Sequence, residues 1–327
     1  MINVFKVIKA GLESSIQDWP GRLGHYNKGF PPSGPMDSWS FRLANLLVGN
    51  KVGDAGIECQ FVGPALEFLT DSAVAITGAD MQPKVDGEPT DMWESFIVKA
   101  GQTLEMSYAT SGARSYIAIA GGLCADVSLG SRSTFDAAGI GGIDGHALKE
   151  GQEIKCVRRQ DNFVGRTLSP EAIPKISTNL LWEIEVVAGP NDEWIDQEGH
   201  NRFLNSEWKV SAKSNRMGMR LEGPDWTFTE KAYNKLPENG SEPANIIDQG
   251  YPIGAINLAG QTPIILLNDG PSMGGFINPY TVPQCAIWKL GQARPGEIFM
   301  FKVISVADAQ NKAAQIKYLC SDSSLVT

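Results

Sequence analysis

The chain has 327 residues, 42% apolar and 20% charged, with 35 glycines and 19 prolines, which suits a turn-rich globular protein with room for two cores and excludes a disordered or fibrous one. Its 28 Lys and Arg against 37 Asp and Glu leave a net charge of -9 with no run of basic residues, so nucleic acid is not an expected partner. No apolar stretch has membrane-spanning length, and the opening MINVFKVIKAG turns polar too early for a signal peptide; the expectation is a cytoplasmic protein that does not engage a membrane.

In chain order, short alternating or continuous apolar segments predict strands at 2 to 8, 73 to 77, 96 to 98, 103 to 108, 115 to 119, 183 to 188, 253 to 258, 263 to 267 and 298 to 304. Gly, Pro, Asn and Asp punctuate them, and the close spacing favours antiparallel sheets or barrels over βαβ units. Helices are predicted at 38 to 48, near 192 to 204, at 283 to 290 and over 307 to 319. A polar, Pro-interrupted stretch near the midpoint marks a boundary: a first β domain over 1 to 160, a linker over 161 to 179, and a second β domain over 180 to 327. The halves rhyme weakly. In each, a buried strand enters a Gly-rich turn and a close of Leu, Gly and Ile follows, Leu148, Gly151 and Ile154 in the first half and Leu290, Gly296 and Ile298 in the second, as duplication of a β domain would leave it.

Cys59, Cys124, Cys156, Cys285 and Cys320 are scattered, without CxxC spacing, and read as thiols in a reducing compartment. With three histidines and no HExxH, no metal site is expected. No Walker loop is present, so the chain is not expected to bind ATP by itself.

Gly-rich turns carry the candidate chemistry. In SLGSRSTFDAAGIGG, Ser131, Arg132 and Ser133 precede several glycines; backbone N-H groups and a guanidinium there suit a small acid, although an ordinary barrel loop has the same composition. Asn215 and Arg216 stand at the mouth of a half-buried strand over 219 to 222, where Arg216 either pairs with a surface acid or recognises an anion. Asp248 and Gln249, and then Asn268, Asp269 and Ser272 in LLNDGPSMGG, stand at strand ends. Such groups supply both donors and acceptors for an amide, and equally make type I turns. Asp37 stands directly before SWSFRLANLLV, with Gly49 after it, as an N-cap and C′ pair should; a cap does not preclude a site at a helix N-terminus.

Taken together, SSIQDWPGRLGHYNKGFPPSGPMDSWSF, IECQFVGPALEF, AVAITGADM, SYIAIAGG, GSRSTF, SNRMGMRLEGP, YPIGAINLAGQTPIILLNDGPSMGG and LGQARPGE resemble the biotin-dependent carboxyltransferase family. That family includes the larger half of the urea carboxylase carboxyltransferase domain (allophanate hydrolase subunit 2) and KipA-type proteins, viewed as the C component of bacterial 5-oxoprolinase. The resemblance implies a mainly β chain of two cyclophilin-like β-barrel domains in tandem with a few short helices. It also implies a KipI-like, or allophanate hydrolase subunit 1, partner, and for an oxoprolinase a third polypeptide. No Met-Lys-Met biotin-attachment motif occurs, so no cofactor is expected on this chain alone; ATP or carboxybiotin would come through partners.

Three readings follow. As the KipA-type component of a 5-oxoprolinase, the chain would help open a lactam, with Arg216 and N-H groups of the 268 to 275 loop, including Gly274 and Gly275, stabilising the carbonyl charge and Asp37 or Asp248 handling a proton. As half of a urea-type carboxyltransferase, it would present an amide to carboxybiotin, with Asp248 or Asp269 orienting or deprotonating the nitrogen. As a regulator, it would antagonise a KipI-like kinase inhibitor without catalysis. The separate length of the chain favours the first, while DGPSMGGF and Trp19-Pro20-Gly21-Arg22 look more like the urea carboxylase branch.

Overall fold

In the computed structural model, residues 1–157 and 163–326 are described. Residues 158 to 160 and the first two positions of the expected linker, 161 and 162, lie outside them. The chain is mainly β and divides into two compact units. One takes in Met1–Leu23, Pro32–Ile176 and Ala314–Thr327; the other takes in Gly24–Pro31 and Ser177–Ala313.

The first unit is built on a seven-stranded and a five-stranded sheet. At the centre of the five-stranded sheet runs Ser111–Ile119, between Gly56–Gln60 and Ser72–Asp80, antiparallel to both. From Gly112 onward every residue of that strand is buried, which is why it reads as an apolar run rather than an alternation. Helix Ser38–Leu47 packs on this sheet, burying Phe41, Leu43, Leu46 and Leu47 against Ala75, Tyr116 and Ala118. The same cluster receives Ile316, Leu319, Cys320 and Leu325 from the far end of the sequence. Strand Leu325–Val326 pairs with Thr167–Leu168, and Ser169 N donates to Ser324 O at 2.8 Å. A second core joins the two sheets through Phe5, Ile57, Phe68, Ile76 and Ile117.

In the second unit, seven strands close a barrel in the order Leu181–Ala188, Tyr280–Thr281, Ala255–Ala259, Thr262–Leu266, Gly218–Glu222, Trp208–Val210 and Ile298–Val303. Closure comes from a parallel pairing, Leu181 opposite Ile298 through Val186 opposite Val303. Gly218–Glu222 alternates in burial as its sequence predicts. Phe203 stacks on Phe301 and Tyr280, with ring centroids 4.3 and 4.6 Å apart, and Trp226 and Trp208 complete an aromatic core. A separate hairpin-like pair, Asn245–Gly250 with Met273–Phe276, carries much of the polar sequence singled out above.

Candidate functional site

Asp37 is fully buried and caps helix Ser38–Leu47. Its Oδ1 accepts from Trp39 N and Ser40 N, each at 3.0 Å, and its Oδ2 accepts from Ser40 Oγ at 2.6 Å. Behind it lies a network that no local motif announces. Tyr116 Oη accepts from Asp37 N at 2.8 Å and donates to Glu58 Oε2 at 2.9 Å, while Glu58 Oε2 also accepts from Met36 N at 2.7 Å. Arg114 Nε stands 3.6 Å from Glu58 Oε1. Burial, and then the Glu58 and Asp37 charges, hold the Tyr116 phenol well above its ordinary value, so it remains a donor. Glu58 lies between Ile57 and Cys59, and a carboxylate flanked by buried positions on an inner strand was the available signal.

The Gly-rich loop of the first unit is locked from beneath. The Asp18 carboxylate accepts from Ser131 Oγ at 2.5 Å, Ser133 Oγ at 2.7 Å and Arg132 N at 2.7 Å. Arg22, also buried, donates to Ser133 O at 2.6 Å, Ser128 O at 3.2 Å and Ser33 Oγ at 3.2 Å. The Ser131 and Ser133 hydroxyls are therefore engaged in shaping the loop, and the Arg132 side chain is what it offers to solvent. Asp18 and Arg22 belong to the family-like stretch QDWPGR, which sequence reasoning did not resolve into single candidate residues; polar groups directly after the strand Glu13–Gln17 were the signal.

In the second unit the structure joins Asn215, Arg216, Asn268 and Asp269. Asn215 Oδ1 accepts from Met217 N at 2.9 Å and fixes the turn. Asp269 N donates to Arg216 O at 3.0 Å, and the Arg216 and Asp269 side chains form a forked ion pair at 2.7 and 3.4 Å. Both are buried, so the pair is no surface bridge, and the arginine charge is balanced before any ligand arrives. Ser272 follows; its carbonyl accepts from Tyr251 N at 2.8 Å.

Asp248 and Gln249 lie within a strand rather than on a loop before one, and Gly274 and Gly275 lie in the strand paired with it. The glycines make the pairing possible. A Cβ on Gly274 would stand 2.9 Å from the Tyr251 ring, and one on Gly275 2.9 Å from Ile246 O. Gln249 Nε2 donates to Asn191 Oδ1 at 2.7 Å and Phe276 O at 3.1 Å, whereas Asp248 is exposed. Among the described residues no group of three or more His, Cys, Asp or Glu is placed to hold a metal, and no helix is long and apolar enough to cross a membrane.

The loops and strand ends of both units thus present paired donors and acceptors on a β scaffold, a pattern common to many β proteins and read further only through the relatives of the chain. A family model for the carboxyltransferase domain, subdomains A and B, matches residues 28–303, and the chain belongs to that family. It is 38% identical to the urea amidolyase of Saccharomyces cerevisiae over 92% of this chain and 17% of that protein. It is 30% identical to the C component of 5-oxoprolinase from Escherichia coli, over 94% of this chain and 93% of that component. The crystal structure of Kluyveromyces lactis urea carboxylase superposes with a TM-score of 0.90 at 34% identity, covering 99% of this chain and 30% of that one. The chain thus spans less than a fifth of the length of the yeast amidolyase it matches and nearly all of the bacterial oxoprolinase component.

Proposed function

We propose that the chain is the carboxyltransferase part of an amide-directed enzyme of the urea carboxylase type, with carboxybiotin delivered as a substrate by a partner. The higher identity to the urea amidolyase, 38% against 30% for the oxoprolinase component, supports this reading. In the transfer, a urea nitrogen bonds to the carboxyl carbon as the bond from that carbon to the biotin ring nitrogen breaks. The proton lost by urea passes to the solvent-facing Asp248 and from there to water, and the ring nitrogen takes up a proton from solvent as its bond to the carboxyl carbon breaks. Asn268 and Ser272 orient the amide, and the balanced Arg216 and Asp269 pair holds the loop that carries them in fixed geometry. Arg132 serves as an anchor for a carboxylate in the first unit. Asp37 builds the helix start rather than handling a proton.

A second reading, the KipA-type component of a 5-oxoprolinase with ATP used through its partners, is favoured by the match over 93% of the bacterial relative. There the lactam carbonyl would take the place of the urea carbonyl.

The deciding experiment measures turnover of urea and of 5-oxoproline by the chain with its co-purified partners and ATP, with and without avidin. Urea turnover abolished by avidin is expected. Avidin-resistant glutamate formation would establish the oxoprolinase reading instead, and no turnover of either substrate would leave antagonism of a kinase inhibitor as the surviving alternative.

A further inference from the structure

Residues Gly24–Pro31 pack with the second unit, although the sequence on either side belongs to the first. The segment is a single turn, Tyr26–Lys28, closed by Lys28 N and Phe30 N donating to His25 O at 2.9 and 3.3 Å. Gly24 and Gly29 flank it at φ +83° and +81°, and none of the described residues comes within 4 Å of where a Cβ would stand on either. They are glycines for their left-handed backbone and not for want of space.

Tyr26 is half-buried, and its hydroxyl donates to Pro271 O at 3.4 Å. Pro271 stands between Asp269 and Ser272, so this phenol sits on the loop to which the proposed function assigns the amide. The bond is long for an O-H donor, and a better-placed acceptor would displace it. Burial raises the Tyr26 phenol above its ordinary value, keeping the proton on the oxygen. His25 beside it holds a buried Nδ1 with no hydrogen-bond partner among the described residues, an unmet capacity of the kind found where a ligand or water completes a site.

We infer that Gly24–Pro31 is a substrate strap of the second unit's site, with Tyr26 the residue that donates a hydrogen bond to the carbonyl oxygen of a small amide. The location rests on the proposed function; the donor and its strap do not depend on which amide is processed. Exchange of the Pro271 carbonyl for the ligand carbonyl keeps the phenol satisfied in both states, so selectivity falls on compounds that bring an acceptor to it. An analogue with the carbonyl reduced to methylene leaves the phenol on Pro271 and gains nothing.

The test uses Tyr26→Phe in the reconstituted complex, with Tyr108→Phe, an exposed tyrosine elsewhere, as control. With whichever amide the wild type turns over, Tyr26→Phe is expected to raise KM about 3- to 10-fold, the worth of one neutral hydrogen bond, with kcat within twofold and an unchanged thermal midpoint. An unchanged KM, or a fall in kcat that tracks a lowered midpoint, overturns the inference. If the wild type turns over neither urea nor 5-oxoproline, the proposed function has failed, and the strap is judged by binding. NMR titration of the chain with each compound should then shift the amides of Tyr26 and Ser272 together, more weakly in Tyr26→Phe; no shift with either compound overturns it.

Discussion

Both carboxylate oxygens of Asp37 are occupied by the first turn of its helix, and its own N-H is held by Tyr116. Asp37→Ala is therefore expected to cost about 1–2 kcal/mol in denaturant unfolding, the usual worth of a cap. Asp37→Asn keeps one accepting oxygen and should leave turnover within twofold; a collapse of turnover at retained stability would give the carboxylate a chemical role. The thiols differ as sharply by position. Burial pushes Cys59 up to about 12 and Cys156 and Cys320 to about 11, so the thiolate fraction at neutral pH is minute. Titration of the native protein with a disulfide reagent should show one fast thiol, the half-exposed Cys124, and a burst of two or more would contradict the burial described.

Glycine placement decides whether the first unit's loop can form. Gly141 adopts φ +70°, and a Cβ there would lie 2.1 Å from Ser133 O and 3.0 Å from Arg22 Nη2. Gly141→Ala should destabilise the loop by about 1–3 kcal/mol, as overpacking and strain do, seen as faster hydrogen exchange over residues 128 to 146. In the barrel, Glu185 receives Lys289 Nζ and Lys312 Nζ, each at 2.7 Å. Burial alone would raise its pKa, but the two lysine hydrogen bonds outweigh this and hold it below the usual 4.5. A depressed folded pKa means that the stabilisation is present above pH 4.5 and fades as pH falls through the lower folded value. Glu185→Gln should cost about 1–3 kcal/mol at neutral pH, discounted for the half-exposed Lys312, and should flatten the acid limb of the stability profile; an unaltered limb would count against the pair. Much of this architecture was legible. The strand Leu181–Ala188 and helix Ser38–Leu47 fall where periodicity and capping put them. The strand Asn245–Gly250 did not, because its residues are mostly exposed or half-exposed and an unburied strand has no apolar period to read. The polar residues of the site could be nominated one loop at a time, but which of them share a hydrogen bond, as Asp18 does with Ser131 and Ser133, depends on contacts between residues far apart in sequence.

For the molecule as a whole, solved urea carboxylase and urea amidolyase structures cover nearly all of this chain, and it matches a small share of their length. No Met-Lys-Met occurs in the sequence. Expressed alone in cells that biotinylate proteins, the chain should be negative on an avidin blot, and a positive band would overturn the assignment of biotin to a partner. One consequence of the topology concerns synthesis. The barrel closes through Ile298–Val303, and the first unit gains its last strand, Leu325–Val326, and part of its helix-side core from residues 316 to 325. Translation of roughly 150 residues separates the body of the first unit from the segment that completes it, a delay of roughly 8 to 30 s at 5–20 residues per second. During that interval a nascent chain carries a finished helix seat with no cover, and chaperone occupancy of the chain should peak there and fall once the final helix has docked.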